Sequence, residues 1–530
     1  MMRRSPYARS GRAMDSDGGE GVPKVQTVQT LLENGGGESP AIGAPGRPYL
    51  DYAGLRKHVG QTVTTLNQMG LGRGDRVGIV LPNGPEMASA FVAIAAGATT
   101  APLNPNYRRK EYDFYLEDLG AKALIVEAGS ESEAVDSARS LGITVLELRV
   151  PEGARAGEFE LLSDPDSELG EASSPGPATS DDVALVLHTS GTTARPKIVP
   201  LLHRNVCASA NNICATLHLS PEDRCLNVMP LFHIHGLMAP VLASLSTGAG
   251  VSCAPGFNAL RFFSWLEEVQ PTWYSAVPTM HQTILSRSSR NEETIARARL
   301  RFIRSSSASL PPQVLHELEE TFGVPVVEAY AMTEASHQMT CNQLPPGVRK
   351  PGTVGPAAGP EVSVMDDEGN LLDTGQIGEI VIRGPNVTPG YENNPEANAT
   401  AFTNGWFRTG DQGVMDEDGY ITLTGRLKEI INRGGEKISP KEVDEVLMDH
   451  PAVQQVVTFA VPHKKLGEDV AAAVVLREGV DATPSDLQEF AAERLANFKV
   501  PRTVLVVDEI PKGPTGKLRR IGLAEQMGIA

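Results

Sequence analysis

The sequence predicts an α/β fold: a large N-terminal domain of parallel sheets covered by helices, a β-rich subdomain, and a small α+β C-terminal domain. Three observations lead there. Strand-like runs alternate with helical ones through most of the chain, the pattern of parallel sheets covered by helices. Near residue 360 the texture changes to short strands with Asp/Gly turns, which reads as hairpins. From Leu427 onward, helix and strand patterns recur on a compact scale. The expected organisation is a tail at 1–22, a large domain at 23–426 and a small domain at 427–530.

Taken in order, the tail carries Arg3, Arg4, Arg9 and Arg12 before its first acid, Asp15. That faintly resembles an organellar transit peptide, but a disordered tail or an upstream start before Met14 is the expected reading. No apolar run follows, and the last residues are not a peroxisomal tripeptide. A cytoplasmic setting is expected, or an organellar one if the tail is a transit peptide. "RVGIVLP" (76–82) reads as a buried strand, "GPEMASAFVAIAAG" (84–97) as a helix closing on Gly97, and "KALIVE" (122–127) as a strand. The uncharged runs 87–107 and 225–260 are broken by Gly and Pro, so neither is expected to span a membrane. Residues 151–182 hold nine acids against Arg155 alone, and a solvated connection with little regular structure is expected there. "DDEGN" (366–370) and "DEDGY" (416–420) mark hairpins, and "PKEVDEVLMDH" (440–450) and "AAAVVL" (471–476) a helix and a strand of the small domain.

Charge narrows the function classes. Asp plus Glu total 65 against 47 Lys plus Arg, a formal net charge of -18. A nucleic-acid binder needs a basic surface, and so does a protein that docks on anionic membrane. Neither is expected. The 104 residues from Leu427 carry 14 bases and 16 acids, so nearly all the net charge lies before them. Cys207, Cys214, Cys225, Cys253 and Cys341 form no CxxC and no zinc spacing, which fits free thiols in a reducing compartment.

Four segments carry chemistry. "LHTSGTTARPKIVPLLHRN" (187–205) puts Thr189, Ser190, Gly191, Thr192 and Thr193 directly after a strand, then Lys197. Backbone N–H groups and hydroxyls in such a loop can wrap phosphate oxygens, although the loop is not a Walker A motif. "EAYAMTEASH" (328–337) offers Thr333 and Glu334 toward phosphates and Mg²⁺, and Tyr330 to stack on a base. Asp411 can accept from a ribose diol, with Arg426 opposite. "PKGPTGKLRR" (511–520) presents Lys517 on a Gly/Pro loop. Singly, each has an ordinary alternative as a turn or a surface ion pair.

In this order and spacing, from about residue 25 to 525, the motifs resemble those of the adenylate-forming superfamily of acyl-CoA synthetases, peptide-synthetase adenylation domains and luciferases. "MPLFHIHGLMAP" (229–240), "TWYSAVPTMHQTIL" (272–285), "RFIRSSSASL" (301–310), "IRGPNVTPGYENNPEAN" (382–398) and "INRGGEKISPKEVD" (431–444) are similar to the branch of plant and fungal oxalate–CoA ligases, relatives of 4-coumarate–CoA ligase. The resemblance implies ATP, Mg²⁺ and coenzyme A, an acyl-adenylate intermediate, and a small domain that moves. It implies a phosphate loop at Thr189–Thr193 and Lys197, and nucleotide contacts at Ser307, Ala308, Ser309, Glu328, Ala329 and Tyr330. Thr333 and Glu334 would meet phosphate and Mg²⁺, and Asp411 and Arg426 the ribose. Lys428 would be the hinge, Lys517 the catalytic lysine, His233 the gate to the pantetheine tunnel, and Asn432, Gly434 and Gly435 part of that tunnel. Two departures stand out: Ala194 and Ile198 occupy positions where the superfamily usually has Gly.

The acyl group is the remaining question. Arg304, Ser305, Ser306 and Ser307 lie on one segment, with His337 beyond the Thr-Glu pair and His233 and His235 upstream. A short diacid needs donors and positive potential, whereas an aliphatic tail needs an apolar tunnel. Oxalate is the expected acid, with an aryl or medium-chain acid as the alternative. A catalytically silent nucleotide binder is disfavoured because Lys197, Glu334, Asp411 and Lys517 are all present. A peptide-synthetase module is disfavoured because no carrier segment follows Lys517.

Overall fold

The computed structural model describes residues 26–163, 170–189, 196–512 and 518–530; the tail expected at 1–22 lies outside them. Two mainly parallel sheets form the bulk of the molecule. One has seven strands, ordered Glu160–Ser163, Thr144–Arg149, Ala123–Glu127, Arg76–Val80, Thr99–Pro102, Val183–Thr189 and Lys197–Leu202. The other has eight, ordered His337–Cys341, Val326–Met332, Phe302–Ser306, Trp273–Ala276, Arg224–Asn227, Gly250–Cys253, Pro40–Ala44 and Arg47–Asp51. In both, the interior pairs are parallel and the outermost pairs antiparallel.

Between them runs the helix Pro85–Ala95, in which every residue except Glu86 is buried. A helix apolar on all sides has to sit between two layers. Proline opens it, and Gly97 follows because an added Cβ would lie 2.9 Å from Val63 of the neighbouring helix Tyr52–Gln68. Val77, Ile79, Phe91, Trp273 and Val327 belong to one continuous core. Among the described residues no helix is long and apolar enough to cross a membrane.

The hairpin texture near residue 360 becomes an antiparallel sheet of Glu361–Met365, Ile377–Arg383, Phe402–Thr403, Trp406–Met415 and Ile421–Arg426. The chain leaves it at Arg426 and enters a fourth sheet at Ile431. That last sheet, with helices Pro440–Met448 and Pro484–Ala492 against it, forms the small unit. Its Ile431, Val443 and Val470 share a core with Leu226, Tyr274 and Val314. Polar contacts cross the same boundary: Gln282 Nε2 donates to Gln454 O at 3.2 Å, and Lys441 Nζ to Leu423 O at 2.9 Å.

One expectation is corrected. Residues 151–182 are not merely a solvated connection, because Glu160–Ser163 pairs with Thr144–Arg149 as an edge strand. Ala156, Phe159 and Leu161 are buried, and Phe159 meets His58 edge-on at 4.3 Å. Three apolar residues among nine acids sufficed to dock the segment on the helix beside it.

Candidate active site

The site forms where strands of the eight-stranded sheet end together. Parallel register places Ser275 beside Arg304, Ser305 beside Glu328 and Ser306 beside Ala329. A crevice beyond the carboxyl ends of parallel strands is where such sheets bind ligands. The backbone there is strained: Ser307, Ser336 and His337 have φ of 75°, 49° and 96°. Non-glycine residues hold such angles only where their surroundings over-determine them, and they cluster at working sites.

On the side expected to take the nucleotide, Tyr330 donates its hydroxyl to Asp411 Oδ2, and Arg426 Nε donates to Asp411 Oδ1 at 3.0 Å. The antiparallel register pairs Asp411 with Arg426, so one hairpin supplies both. Burial pushes the Tyr330 hydroxyl well above its ordinary range, so it stays a donor. The Asp411 carboxylate holds the Arg426 guanidinium above its usual value. Ala308 and Ser309 are exposed and line a cavity of about 160 Å³ shared with Lys441, Asp444, Leu518 and Arg520 of the small unit.

Glu328 lies beneath this face, 2 % exposed. Its Oε1 accepts from Leu310 N at 2.9 Å, and its Oε2 has no hydrogen-bond partner among the described residues. Burial pushes it from 4.5 up to about 7. The folded value is raised, so its stabilising contribution is full below about pH 4.5 and is lost as pH rises through about 7. Between pH 5 and pH 8 the wild type should therefore lose about 2 kcal/mol more stability than Glu328→Gln, read from denaturant melts at both pH values. Parallel pH profiles would contradict this.

The side expected to take the phosphates is built around Tyr391. Glu334 sits on the short 3₁₀ turn Thr333–Ala335 after the strand Val326–Met332. Its Oε1 accepts the Tyr391 hydroxyl at 2.8 Å, while Lys197 Nζ lies 4.2 Å over the Tyr391 ring. Burial raises Glu334 and lowers Lys197, and each charge partly opposes the shift of the other. The Tyr391 loop is pinned by Thr388, which donates its Oγ1 to Pro200 O at 2.8 Å and its N–H to Glu334 O at 2.7 Å. Thr189 pairs with Lys197 across the strands that flank the loop. Ser190, Gly191, Thr192, Thr193 and Ala194 lie outside the described residues. Ile198 is 4 % exposed and packs in the core with Val186 and Leu116.

The side expected to take the acyl group is polar. His235 Nδ1 is 3.0 Å from Ser307 Oγ, its Nε2 is 2.6 Å from Ser275 Oγ, and its ring stacks on His337 with centroids 4.9 Å apart. His233 caps the short helix Ile234–Gly236, accepting at Nδ1 from His235 N at 3.2 Å. Gly236 is required there, because an added Cβ would lie 2.3 Å from Pro230 O. Arg304, expected to face the acyl group, is enclosed behind it instead. Its guanidinium meets Ser275, Gln338 and His235.

The remaining expected residues lie apart. Lys428 is exposed between the third and fourth sheets. Asn432 is exposed within the strand Ile431–Arg433, and the exposed turn Gly434–Gly435 joins that strand to Glu436–Ile438. Lys517 lies outside the described residues. Sequence reasoning missed Tyr391, Ser275 and Gln338. Tyr391 stood in a quoted motif without a role; the other two gain theirs only from strand register.

The AMP-binding enzyme family matches residues 34–392, and the AMP-binding enzyme C-terminal domain matches residues 442–517. The oxalate–CoA ligase of Arabidopsis thaliana is 45% identical over 516 residues, covering 96% of this chain and 98% of that protein. The oxalate–CoA ligase of Saccharomyces cerevisiae is 44% identical, covering 86% and 87%. Among solved structures, ATP-bound MatB from Rhodopseudomonas palustris superposes with a TM-score of 0.84 at 29% identity, covering 94% of this chain and 99% of that one.

Proposed function

The chain belongs to the AMP-binding enzyme family, and on that premise we propose that it joins oxalate to coenzyme A through an oxalyl-adenylate. In the first step an oxalate oxygen attacks the α-phosphorus of ATP, and the bond to the bridging oxygen breaks to release pyrophosphate. In the second, the thiolate of coenzyme A attacks the oxalyl carbonyl and AMP departs. Both steps concentrate negative charge, so prepositioned donors and cations are the main catalytic device.

The observation that carries the choice of acid is the polar acyl face. His235, Ser307 and His337 stand together there, with the Arg304 cation behind them. A second carboxylate finds donors and positive potential on such a face, whereas an aliphatic tail calls for apolar contact. Near-full-length likeness to two oxalate–CoA ligases supports the same reading.

Asp411 and Arg426 hold the ribose, Tyr330 the base, and Lys197 with the loop after Thr189 the phosphates. Magnesium fits as an ion carried in on the nucleotide, because Glu334 is a lone carboxylate there and the described residues contain no cluster of three metal-ligating side chains. Glu334 and Thr333 would hold it, and it would neutralise phosphate charge. Lys517 bridges the attacking carboxylate and the α-phosphate. Rotation about Lys428 then exchanges the Lys517 loop for the Gly434–Gly435 turn, with His233 gating the thiol's path. The exposed linker and turn suit that exchange. Five cysteines without a disulfide among the described residues fit a cytoplasmic setting.

Pyrophosphate release across oxalate, malonate, 4-coumarate and octanoate tests the assignment. Oxalate should give the highest kcat/KM. Turnover of octanoate or 4-coumarate without oxalate would replace this reading with the aryl or medium-chain one.

A further inference from the structure

We propose that Arg304, Ser275 and His235 form a chain of fixed hydrogen-bond polarity that makes the Ser307 hydroxyl a donor toward the distal carboxylate of oxalate. The inference rests on the oxalate reading for its substrate and on geometry for its polarity. None of the three touches the acid in this arrangement; they are positioning residues for Ser307.

The chain starts from a group that can only donate. Arg304 is fully enclosed and has no carboxylate partner among the described residues; its contacts are neutral. A guanidinium offers N–H groups and no lone pair. Arg304 Nη1 donates to Ser275 Oγ at 3.3 Å and lies 3.4 Å from His235 Nε2, while Nη2 donates to Gln338 Oε1 at 3.2 Å. Burial lowers Arg304 only to about 10, so it remains a cation at neutral pH.

Polarity then passes along the chain. Ser275 is fully buried, and its only hydrogen-bond partners among the described residues are Arg304 and His235. Arg304 can only donate to Ser275 Oγ, so the one acceptor open to the Ser275 hydrogen among the described residues is His235 Nε2, 2.6 Å away. Nε2 is thereby the acceptor, and a neutral imidazole carries its hydrogen on Nδ1. Nδ1–H points at Ser307 Oγ, 3.0 Å away. Ser307 Oγ accepts and keeps its own hydrogen to donate outward, from a backbone held at φ 75°. The reverse polarity would set a ring N–H against the Arg304 N–H groups and leave the buried Ser275 hydrogen without an acceptor, which is costly in an enclosed site. An anion is therefore favoured at Ser307 twice: by a committed donor, and by a cation behind it that it never has to contact.

Two measurements on the full chain test this. In ¹⁵N-histidine-labelled protein, the His235 ring is assigned from the signal lost in His235→Gln. It should show a protonated Nδ1 and an unprotonated Nε2 at neutral pH, and Ser275→Ala should change that pattern. A protonated Nε2 in the wild type overturns the proposal. In pyrophosphate-release kinetics, Ser275→Ala should raise the oxalate KM about tenfold, leave the ATP KM unchanged, and be largely rescued by Ser275→Thr. An unchanged oxalate KM, or an equal rise in both KM values, also overturns it. Absence of oxalate turnover in the wild type would defeat the substrate reading alone, and the His235 tautomer would still decide the polarity.

Discussion

Glu334→Gln is expected to lower kcat for adenylate formation by about 10²-fold while leaving the protein folded, because it removes the carboxylate that would hold the magnesium ion carried in on the nucleotide. Glu334 is 6 % exposed and accepts the Tyr391 hydroxyl, whose ring carries Lys197. Glutamine can still accept that hydroxyl, so the geometry survives and the charge does not. Stability should move the other way. Burial raises the Glu334 carboxyl, so its stabilising contribution is present below the unfolded value and is lost as pH rises through the folded one. At pH 8 the glutamine variant should thus be at least as stable as the wild type. Single-turnover pyrophosphate release and a denaturant melt check the two halves. Wild-type kcat in the variant would remove Glu334 from the chemistry. Tyr391→Phe keeps the ring under Lys197 and loses only the hydroxyl, so it should fall between the two.

Asp411→Ala is expected to raise the ATP KM by about 10²-fold with little change in the oxalate KM, because two hydrogen bonds to a carboxylate are lost together. The buried Tyr330 hydroxyl loses its acceptor, and Arg426 loses the carboxylate partner that fixes it on the hairpin. Asp411→Asn retains an acceptor for Tyr330 and should recover part of the loss. Steady-state kinetics with each substrate varied in turn decide the matter. Equal increases for ATP and oxalate would mean that the hairpin supports the whole crevice and not the nucleotide alone.

The elements were legible wherever local chemistry and periodicity agreed. Arg76–Val80, Pro85–Ala95, Ala123–Glu127 and Pro440–Met448 all lie within segments read correctly from the sequence. The edge strand Glu160–Ser163 was hidden because its acids and turn residues outweighed Phe159 and Leu161 in any local count. Its docking is a long-range event against the helix Tyr52–Gln68. The same distinction runs through the site. Asp411, Tyr330 and Glu334 announced themselves because their motifs are contiguous. Tyr391 did not, because its value lies in touching Glu334 and Lys197, which are remote in sequence.

The sequence by itself determined the fold class, the order of the motifs and the presence of the charges that an adenylating site requires, since each depends on residue type and local spacing. Only the tertiary structure decided where those charges point. Arg304 reads from the sequence as an acyl contact, yet parallel strand register sets it beside Ser275, and packing encloses it behind Ser307. Its effect on the site therefore runs through hydrogen-bond polarity. The reason is physical: side-chain chemistry is local, but burial and donor–acceptor direction are properties of neighbours brought together from distant parts of the chain.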